Sequence, residues 1–384
     1  MIRDQETLNI LLATVARFVR ERLVPAEAQV AEADRIPDDI VAEMKQLGLF
    51  GLSIPEEYGG MALTMEEEVL ATFEIGRTSP AFRSLFATNN GIGAQGIVID
   101  GTGAQKAQYL PKLASGEIIG AFALTEPDSG SDAASLRTSA TRDGDHYVLN
   151  GTKRYITNAP EAGIFTVMAR TSPDKRGAGG ISAFIVEKGA PGLSLGPIER
   201  KMGQKGAHVC DVIFENCRIP AANLIGGREG VGFKTAMKVL DKGRINIAAV
   251  CVGVSERMLQ DALSYAMQRV QFGKPIAEFQ LIQAMLADSK AETYAARSMV
   301  VDAARRRDQG LDVGTEAACS KLFASETCCR VADRAVQIFG GAGYLAEYGI
   351  ERFYRDVRLF RIFEGTSQIQ QLVIARNMIR ALSV

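Results

Sequence analysis

The sequence predicts a mainly α-helical protein with a central β domain. The chain has 384 residues, and at ~150 residues per domain this length predicts two or three compact units. Apolar residues recur at three- and four-residue steps from Thr7 to about Ser115 and again after Val231, whereas they alternate in between. Because the helical and strand periods are grouped rather than interleaved, a doubly wound α/β sheet is not expected.

Residues 1–120 are expected to form an N-terminal helical domain. One helix face is marked by Leu8, Leu11, Leu12, Val15, Phe18 and Val19. Further along, Ser79 provides an N-cap and Pro80 a first-turn proline, so a new helix is predicted over residues 81–88.

Residues 121–226 are expected to form the middle β domain. Tyr147 and Leu149 precede Asn150-Gly151, and Lys153 and Tyr155 follow it, a pattern that predicts a tight hairpin. Alternation over residues 181–185 and 209–213 predicts further strands, separated by Gly and Pro rather than by helices. This arrangement favours a small antiparallel sandwich or barrel.

Residues 227–384 are expected to form a C-terminal helical bundle. The long segment over residues 280–307 is rich in Ala, Leu, Met, Glu and Arg and contains no Pro or Gly. Such segments bury their apolar faces by packing against one another.

Composition excludes several classes of function. With 44 Lys and Arg against 45 Asp and Glu, the formal charge is −1, so no field gathers nucleic acid. No apolar run approaches the ~20 residues of a membrane span, and the first residues lack a signal peptide's apolar stretch, so a cytoplasmic protein is expected. Six cysteines without CxxC spacing and two histidines predict no metal site.

Three glycine-containing loops are candidate phosphate or cofactor sites. In residues 227–235, Phe233 separates the last glycine from Lys234, which breaks the phosphate-loop pattern. Residues 340–343 lack the dinucleotide-binding spacing. Residues 121–132 combine glycines and hydroxyl side chains, so by composition this loop is either a surface turn or a loop that faces a phosphate or a flavin.

Six motifs in order along the chain resemble the signature set of the acyl-CoA dehydrogenase family. They are AFALTEPDSGSD (121–132), YIT (155–157), RVQFG (269–273), QIFGGAGY (337–344), RD (355–356) and EGTSQI (364–369). The resemblance implies helical, β and four-helix-bundle domains in that order. The periodicity of the sequence predicts the same order independently.

The resemblance also implies bound FAD between the β domain and the bundle. The residues implied to line it are Phe122, Leu124, Thr125, Gly130, Ser131, Tyr155, Ile156 and Thr157, with Thr366 and Gln368 at its adenosine part. A second set resembles positions that reach the FAD of a neighbouring subunit: Arg269, Phe272, Gln280, Gln337, Gly340 and Gly341. This implies at least a dimer and, by family habit, a homotetramer. Tyr155 stands where many relatives have tryptophan, leaving a smaller stacking platform.

Glu364 resembles the catalytic base of the family. Leu359, Phe360, Ile362 and Phe363 surround it in sequence, and apolar surroundings disfavour the ionised carboxylate, which suits a group that must accept a proton. An isolated EGT would instead indicate a glutamate at a helix N-terminus. The implied reaction is α,β-dehydrogenation of an acyl-CoA to the trans-2-enoyl-CoA, with electrons passed to electron-transferring flavoprotein.

The resemblance implies that acyl-chain specificity is set partly by the helix predicted after Ser79. Arg83, followed by Ser84, resembles the arginine with which glutaryl-CoA dehydrogenases and a desulfinase branch meet an acid group, and a solvated helix residue is the alternative. Ser131, Asp241, Arg244 and Gly365 resemble other acyl-CoA contacts. A short dicarboxylyl-CoA such as glutaryl-CoA is therefore expected. The alternatives are a short- or branched-chain acyl-CoA dehydrogenase, an acyl-CoA oxidase and a desulfinase-like variant, although Glu364 argues against the last.

Overall fold

Helices occupy both ends of the chain and strands its middle in the computed structural model, which describes residues 1–175 and 177–382. The N-terminal helices are α1 (Gln5–Phe18), α2 (Val24–Ala33), α3 (Asp38–Gln46), α4 (Met65–Ile75), α5 (Pro80–Asn90), α6 (Gln95–Asp100) and α7 (Gly103–Ala114). A π-helical turn, Val19–Leu23, joins α1 to α2. Apolar side chains of α1, α2, α3 and α5 share one core.

Helix α5 confirms the helix predicted after Ser79. The Ser79 hydroxyl accepts a hydrogen bond from the Ala81 N–H at 3.4 Å, and Pro80 is the first helical residue. Capping of this kind satisfies an N–H that has no partner within the helix. The helix extends two residues beyond the predicted end, to Asn90, and carries Arg83 and Ser84.

One seven-stranded sheet forms the middle of the molecule. Its strands are β1 (Gly120–Ala123), β2 (Ser139–Asp143), β3 (His146–Thr157), β4 (Ile164–Arg170), β5 (Ile181–Glu187), β6 (Leu193–Leu195) and β7 (Val209–Pro220). The order is β1-β4-β2-β3-β7-β6, with β5 paired to β4, and β5 and β7 confirm the two strands predicted from alternation. The sheet is mixed rather than wholly antiparallel, because β1 and a single residue of β2 pair in parallel with β4. The β2–β3 segment between β1 and β4 makes the connection long enough for parallel pairing.

The hairpin predicted at Asn150-Gly151 is wrong. Strand β3 runs straight through these residues, and the β2–β3 turn lies earlier, between the paired residues Asp143 and His146. Gly151 has φ of 146°, and a β-carbon there would lie 2.5 Å from Thr138 Oγ1. The glycine therefore serves a bulge and a close approach of neighbouring chain, both of which favour Gly as strongly as a turn does.

Four long helices form the C-terminal bundle: α8 (Gly232–Gln268), α9 (Gln280–Asp308), α10 (Gly314–Phe339) and α12 (Ser367–Leu382). A short helix, α11 (Ile350–Val357), precedes α12, and a two-stranded hairpin of β8 (Val270–Gln271) and β9 (Lys274–Pro275) joins α8 to α9. Helix α9 confirms the helix predicted over residues 280–307. No helix in the described part of the chain is long and apolar enough to cross a membrane.

Helix α8 links the N-terminal domain to the bundle. Its middle third is buried between α4 and α10, and their side chains form one core. A β-carbon on Gly253 of α8 would clash with the backbone of Phe73 and Gly76, so glycine allows α4 and α8 to approach closely. This close crossing brings polar side chains of α4 and α8 together at the cavity described next.

Candidate active site

A cavity of about 510 Å³ lies where α5, the β1 loop, the end of β3 and α8 meet the chain before α12. It brings together most of the residues predicted for cofactor and substrate. Its lining includes Arg83, Ser84, Phe122, Leu124, Thr125, Gly130, Ser131, Tyr155, Ile156, Thr157, Arg244, Glu364 and Gly365. These residues come from segments up to 280 positions apart, so only the tertiary fold assembles the site.

The other predicted residues lie outside the cavity lining. Asp241 accepts a hydrogen bond from Arg244 at 2.6 Å, Thr366 caps α12, and Gln368 is exposed on that helix. The residues expected to reach a neighbouring subunit lie on exposed surface of the C-terminal domain. They are Arg269, Phe272, Gln280, Gln337, Gly340 and Gly341.

Glu364 has an unusual backbone and an unpartnered carboxylate. Its φ is 50°, a left-handed value that few non-glycine residues adopt. Its Oε2 atom is buried and makes no hydrogen bond within the described part of the chain. A β-carbon at Gly243 of α8 would clash with this oxygen, so the glycine leaves room for the carboxylate. Strain at an unsatisfied buried acid is a feature of functional sites.

Burial raises the pKa of Glu364, because an ionised carboxylate loses the solvation of water. Three cations act in the opposite direction: Arg83 on α5, Lys321 on α10 and Arg244 on α8. The net effect is a raised pKa, because burial outweighs the three cations that stabilise the ionised carboxylate. Such tuning is what a proton acceptor at a carbon acid requires.

Lys321 is a buried cation beside Glu364 that the sequence analysis missed. Its side chain is fully buried, and its Nζ donates to the Gly365 carbonyl at 2.6 Å. Gln370 Nε2 donates to the same carbonyl at 3.0 Å and to the Glu364 carbonyl at 3.3 Å. Burial lowers the pKa of Lys321 to about 8. A lone lysine on the otherwise uncharged buried face of α10 was the available signal.

A second polar cluster, also missed, supports Arg83. Arg83 Nη2 donates to Asn246 Oδ1 at 2.5 Å, and Asn246 Nδ2 donates to Glu68 Oε1 at 2.7 Å. Glu68 Oε2 lies 3.0 Å from Lys242 Nζ, which also donates to the Asn90 carbonyl at 3.3 Å. Burial lowers the pKa of Arg83, and Glu364 and Glu68 partly offset this effect. We call Arg83, Asn246, Glu68 and Lys242 the acyl-end cluster.

The loop of residues 121–132 is held by a buried ion pair. Glu126 accepts from Lys153 Nζ at 2.7 Å and from the N–H groups of Arg137 and Thr138 at 2.6 and 2.9 Å. Lys153 Nζ also donates to the Leu124 carbonyl at 3.1 Å. These bonds fix the loop from behind, so its cavity face is preorganised.

The cavity face of this loop fits a polar ligand. The hydroxyl groups of Thr125, Ser131 and Thr157 line the cavity and donate no hydrogen bond to another group of the described residues. A β-carbon on Gly130 would meet nothing within 4 Å, so the loop leaves open space there. Three free hydroxyls beside the apolar Phe122 and Leu124 provide the mixed lining that a flavin with its phosphates needs.

Three family models match consecutive segments that together cover nearly the whole chain. The N-terminal, middle and C-terminal domain models of acyl-CoA dehydrogenase match residues 5–117, 121–217 and 230–379. The chain belongs to the acyl-CoA dehydrogenase family. These proteins are oxidoreductases and FAD is their cofactor, which agrees with the hydroxyl-lined cavity. The acyl-CoA dehydrogenase family recognised from six motifs is therefore confirmed.

Relatives of known name are similar over almost their full length. An acyl-CoA dehydrogenase of Bacillus subtilis (strain 168) is 44% identical over 365 residues, which cover 95% of this chain and 96% of the relative. An acryloyl-CoA reductase (NADH) of Anaerotignum propionicum is 43% identical over 382 residues, covering 99% and 95%.

Solved structures share the fold closely. Butyryl-CoA dehydrogenase from Megasphaera elsdenii has a TM-score of 0.94 at 37% identity, covering 99% of this chain and 100% of that one. A chain from work on the electron transferring flavoprotein of Acidaminococcus fermentans has a TM-score of 0.95 at 39% identity, covering 99% and 100%. A glutaryl-coenzyme A dehydrogenase in complex with glutaryl-CoA has a TM-score of 0.92 at 34% identity, covering 99% of this chain and 96% of that one. The predicted arrangement of helical, β and helical domains is thus confirmed.

Proposed function

We propose that this protein dehydrogenates a short acyl-CoA that ends in an acid group, with Glu364 as the base. The observation that carries the proposal is one cavity holding both an unpartnered buried carboxylate, Glu364, and the cation Arg83. The first suits removal of a proton from carbon. The second would be costly in an acyl pocket unless an anion arrives to pair with it.

Glu364 removes the proton from the carbon next to the thioester carbonyl. The electron pair of the broken α C–H bond becomes the new double bond, and the β carbon loses its hydrogen together with the electron pair of that C–H bond. FAD held in this cavity would supply the acceptor for this hydride. The Glu364 N–H makes no hydrogen bond in the described chain and is free to donate to the thioester oxygen as negative charge develops there. Lys321 and Gln370 hold the carbonyls of Glu364 and Gly365 and thereby fix the backbone that follows this N–H.

The cofactor roles follow the cavity lining. Thr125, Ser131 and Thr157 would donate hydroxyl hydrogens to the flavin and its phosphates, and Tyr155, Ile156, Phe122 and Leu124, which line the same cavity, would cover its ring. Thr366 and Gln368 would hold the adenosine part. Asp241 orients Arg244 through their 2.6 Å contact, and Arg244, Ser84, Ser131 and Gly365 contact the acyl-CoA.

A second copy of the chain completes the cofactor site in this proposal. Phe272 is 94% exposed and Tyr344 85% exposed, values unusual for aromatic side chains of a monomer. Both belong to segments expected to reach the FAD of a neighbouring subunit, together with Arg269, Gln280, Gln337, Gly340 and Gly341. Covering these aromatics in a homotetramer removes apolar surface from water.

Electron-transferring flavoprotein is the proposed electron acceptor. The similarity to a chain from the work on such a flavoprotein supports it. An acyl-CoA oxidase on the same fold is distinguished by release of hydrogen peroxide when substrate is added in air. A reductase that works in the opposite direction, as the name of the Anaerotignum propionicum relative describes, is distinguished by enoyl-CoA-dependent oxidation of NADH.

The deciding experiment is anaerobic bleaching of the flavin by glutaryl-CoA and by butyryl-CoA at matched concentrations. We expect faster bleaching by glutaryl-CoA in the wild type. Arg83→Ala should lower the glutaryl-CoA rate about 10- to 100-fold, as expected for loss of a hydrogen bond to a charged group, and change the butyryl-CoA rate less than about 3-fold.

Equal effects of Arg83→Ala on both substrates would contradict the acid-ended substrate. Preference for butyryl-CoA in the wild type would instead favour a short-chain acyl-CoA dehydrogenase, in line with the similarity to the Megasphaera elsdenii enzyme. Analysis of the product for released carbon dioxide shows whether decarboxylation follows oxidation.

A further inference from the structure

Asn246 occupies a fixed orientation between a cation and an anion. Glu68 is 2% exposed, and an ionised carboxylate only accepts hydrogen bonds. The Asn246 NH₂ group must therefore face Glu68, and the Asn246 amide oxygen must face Arg83. Because the amide cannot reverse without breaking both bonds, Asn246 holds the guanidinium in one place.

Arg83 has no direct anionic partner in this arrangement. Lys242 lies 3.0 Å from Glu68 and balances its charge, whereas the hydrogen bond of Arg83 within the described residues goes to the neutral amide of Asn246. Arg83 makes no ion pair within 4.0 Å among the described residues. A guanidinium has five N–H donors, so the remaining donors are available to a planar anion that enters the cavity.

Helix α8 sets the distance between this cation and the base. Gly243 lies against the Glu364 carboxylate, and Asn246 is three residues further on the same helix. Side chains three residues apart lie about 5–6 Å from one another along one face. Through Asn246, the Arg83 guanidinium is therefore held beside the same stretch of α8 as the carboxylate that removes the proton, and the two groups interact electrostatically.

We propose that Asn246, held by Glu68, is a specificity-determining positioning residue that directs Arg83 toward the acid group of a four- or five-carbon diacyl chain. This inference rests on the proposed function and deepens it. In such chains the acid carbon lies two or three carbons beyond the α carbon, a short reach that suits a cation held close to the base. A longer diacyl chain would carry its acid group past Arg83.

The test compares glutaryl-CoA, adipyl-CoA and butyryl-CoA with the purified holoenzyme. Asn246→Asp keeps the size of the side chain but places a carboxylate against Arg83. Above the acidic limb of the pH profile, we expect it to lower kcat/KM for glutaryl-CoA at least about 10-fold more than kcat/KM for butyryl-CoA. Only the acid-ended chain needs a free guanidinium, whereas any effect of the new charge on Glu364 acts on both substrates. In the wild type, adipyl-CoA should react at least about 10-fold more slowly than glutaryl-CoA.

Two further variants guard against misfolding and general charge effects. Glu68→Gln permits the Asn246 amide to reverse, so a smaller loss confined to glutaryl-CoA, about 5-fold, is expected. Asn9→Asp, on the exposed face of α1, makes the same chemical change far from the cavity and should alter no substrate.

The outcomes separate this inference from the proposed function. If the wild type shows no preference for glutaryl-CoA over butyryl-CoA, the acid-ended substrate itself is wrong. If the wild type and Arg83→Ala behave as proposed but Asn246→Asp and Glu68→Gln keep the full preference, the role of Asn246 is overturned while the proposed function stands. Equal turnover of adipyl-CoA and glutaryl-CoA would overturn the limit on chain length.

Discussion

Glu364 and Glu126 both have buried carboxylate groups, and their surroundings shift their pKa values in opposite directions. Burial raises the pKa of Glu364, whose Oε2 finds no hydrogen bond in the described chain. Burial would also raise the pKa of Glu126, but Lys153 and the N–H groups of Arg137 and Thr138 outweigh it and lower that pKa. Direct hydrogen-bond and ion-pair partners, rather than burial alone, decide whether a buried acid stays ionised as a structural group or can accept a proton.

The largest effect should come from Glu364→Gln. The amide cannot accept a proton, so anaerobic bleaching of the flavin by substrate should slow by about 1,000-fold, within the range of general base catalysis. FAD content, measured by absorbance after purification, should stay unchanged because the flavin loop is held by Glu126. The matched control is Glu347→Gln at an exposed position of the C-terminal domain, which should bleach normally. Normal bleaching by Glu364→Gln would rule out Glu364 as the base.

The next largest effect is expected from Lys153→Met, which removes the cation that pairs with Glu126. It leaves Glu126 buried without its cation, and the free energy of unfolding should fall by about 3–5 kcal/mol, with loss of bound FAD as the loop loosens. Thermal denaturation and flavin content measure both effects. Lys45→Met, at an exposed position of α3, is the control and should leave both unchanged. A stable Lys153→Met protein with full FAD would show that the ion pair does not hold the loop.

The smallest effect concerns the pH dependence of the reaction. Glu364 must be ionised to accept a proton, so kcat/KM should fall as pH decreases through its raised pKa. Lys321→Met removes one of three cations facing Glu364, the others being Arg83 and Arg244, and raises that pKa further. The acidic limb of the profile should then move to higher pH by about one unit.

This measurement is made below pH 8, where Lys321 carries its charge in the wild type. Lys321→Arg keeps the positive charge and is the matched variant, so its acidic limb should stay near that of the wild type. An unchanged limb in Lys321→Met would mean that Lys321 holds the Gly365 carbonyl without tuning the base.

The sequence predicted those parts of the site whose characteristic residues lie close together along the chain. The loop of residues 121–132 and the segment around Glu364 each carry several characteristic residues together, and both line the cavity. Helix α5 was predicted from Ser79 and Pro80 because capping involves neighbours in the chain. The Asn150-Gly151 turn failed because glycine in a bulge and glycine in a hairpin give the same local pattern.

The acyl-end cluster could not be predicted in this way. Glu68 and Asn246 are 178 residues apart, and nothing in the sequence around either residue indicates the other. Lys321 is 44 residues from the carbonyl that it holds. Their contacts depend on how closely α4, α8 and α10 pack, and that packing is decided by the whole core.

By itself, the sequence determined the family, the order of the three domains and the identity of the acid at residue 364, because each is recorded in residue types and their spacing along the chain. Only the tertiary structure decided that Oε2 of this acid is buried without a hydrogen bond in the described chain, that Lys321 holds the backbone beside it and that Arg83 bonds to the amide of Asn246. The physical reason is that pKa and hydrogen bonding depend on distances in space, and the close crossing of α4 and α8 sets those distances.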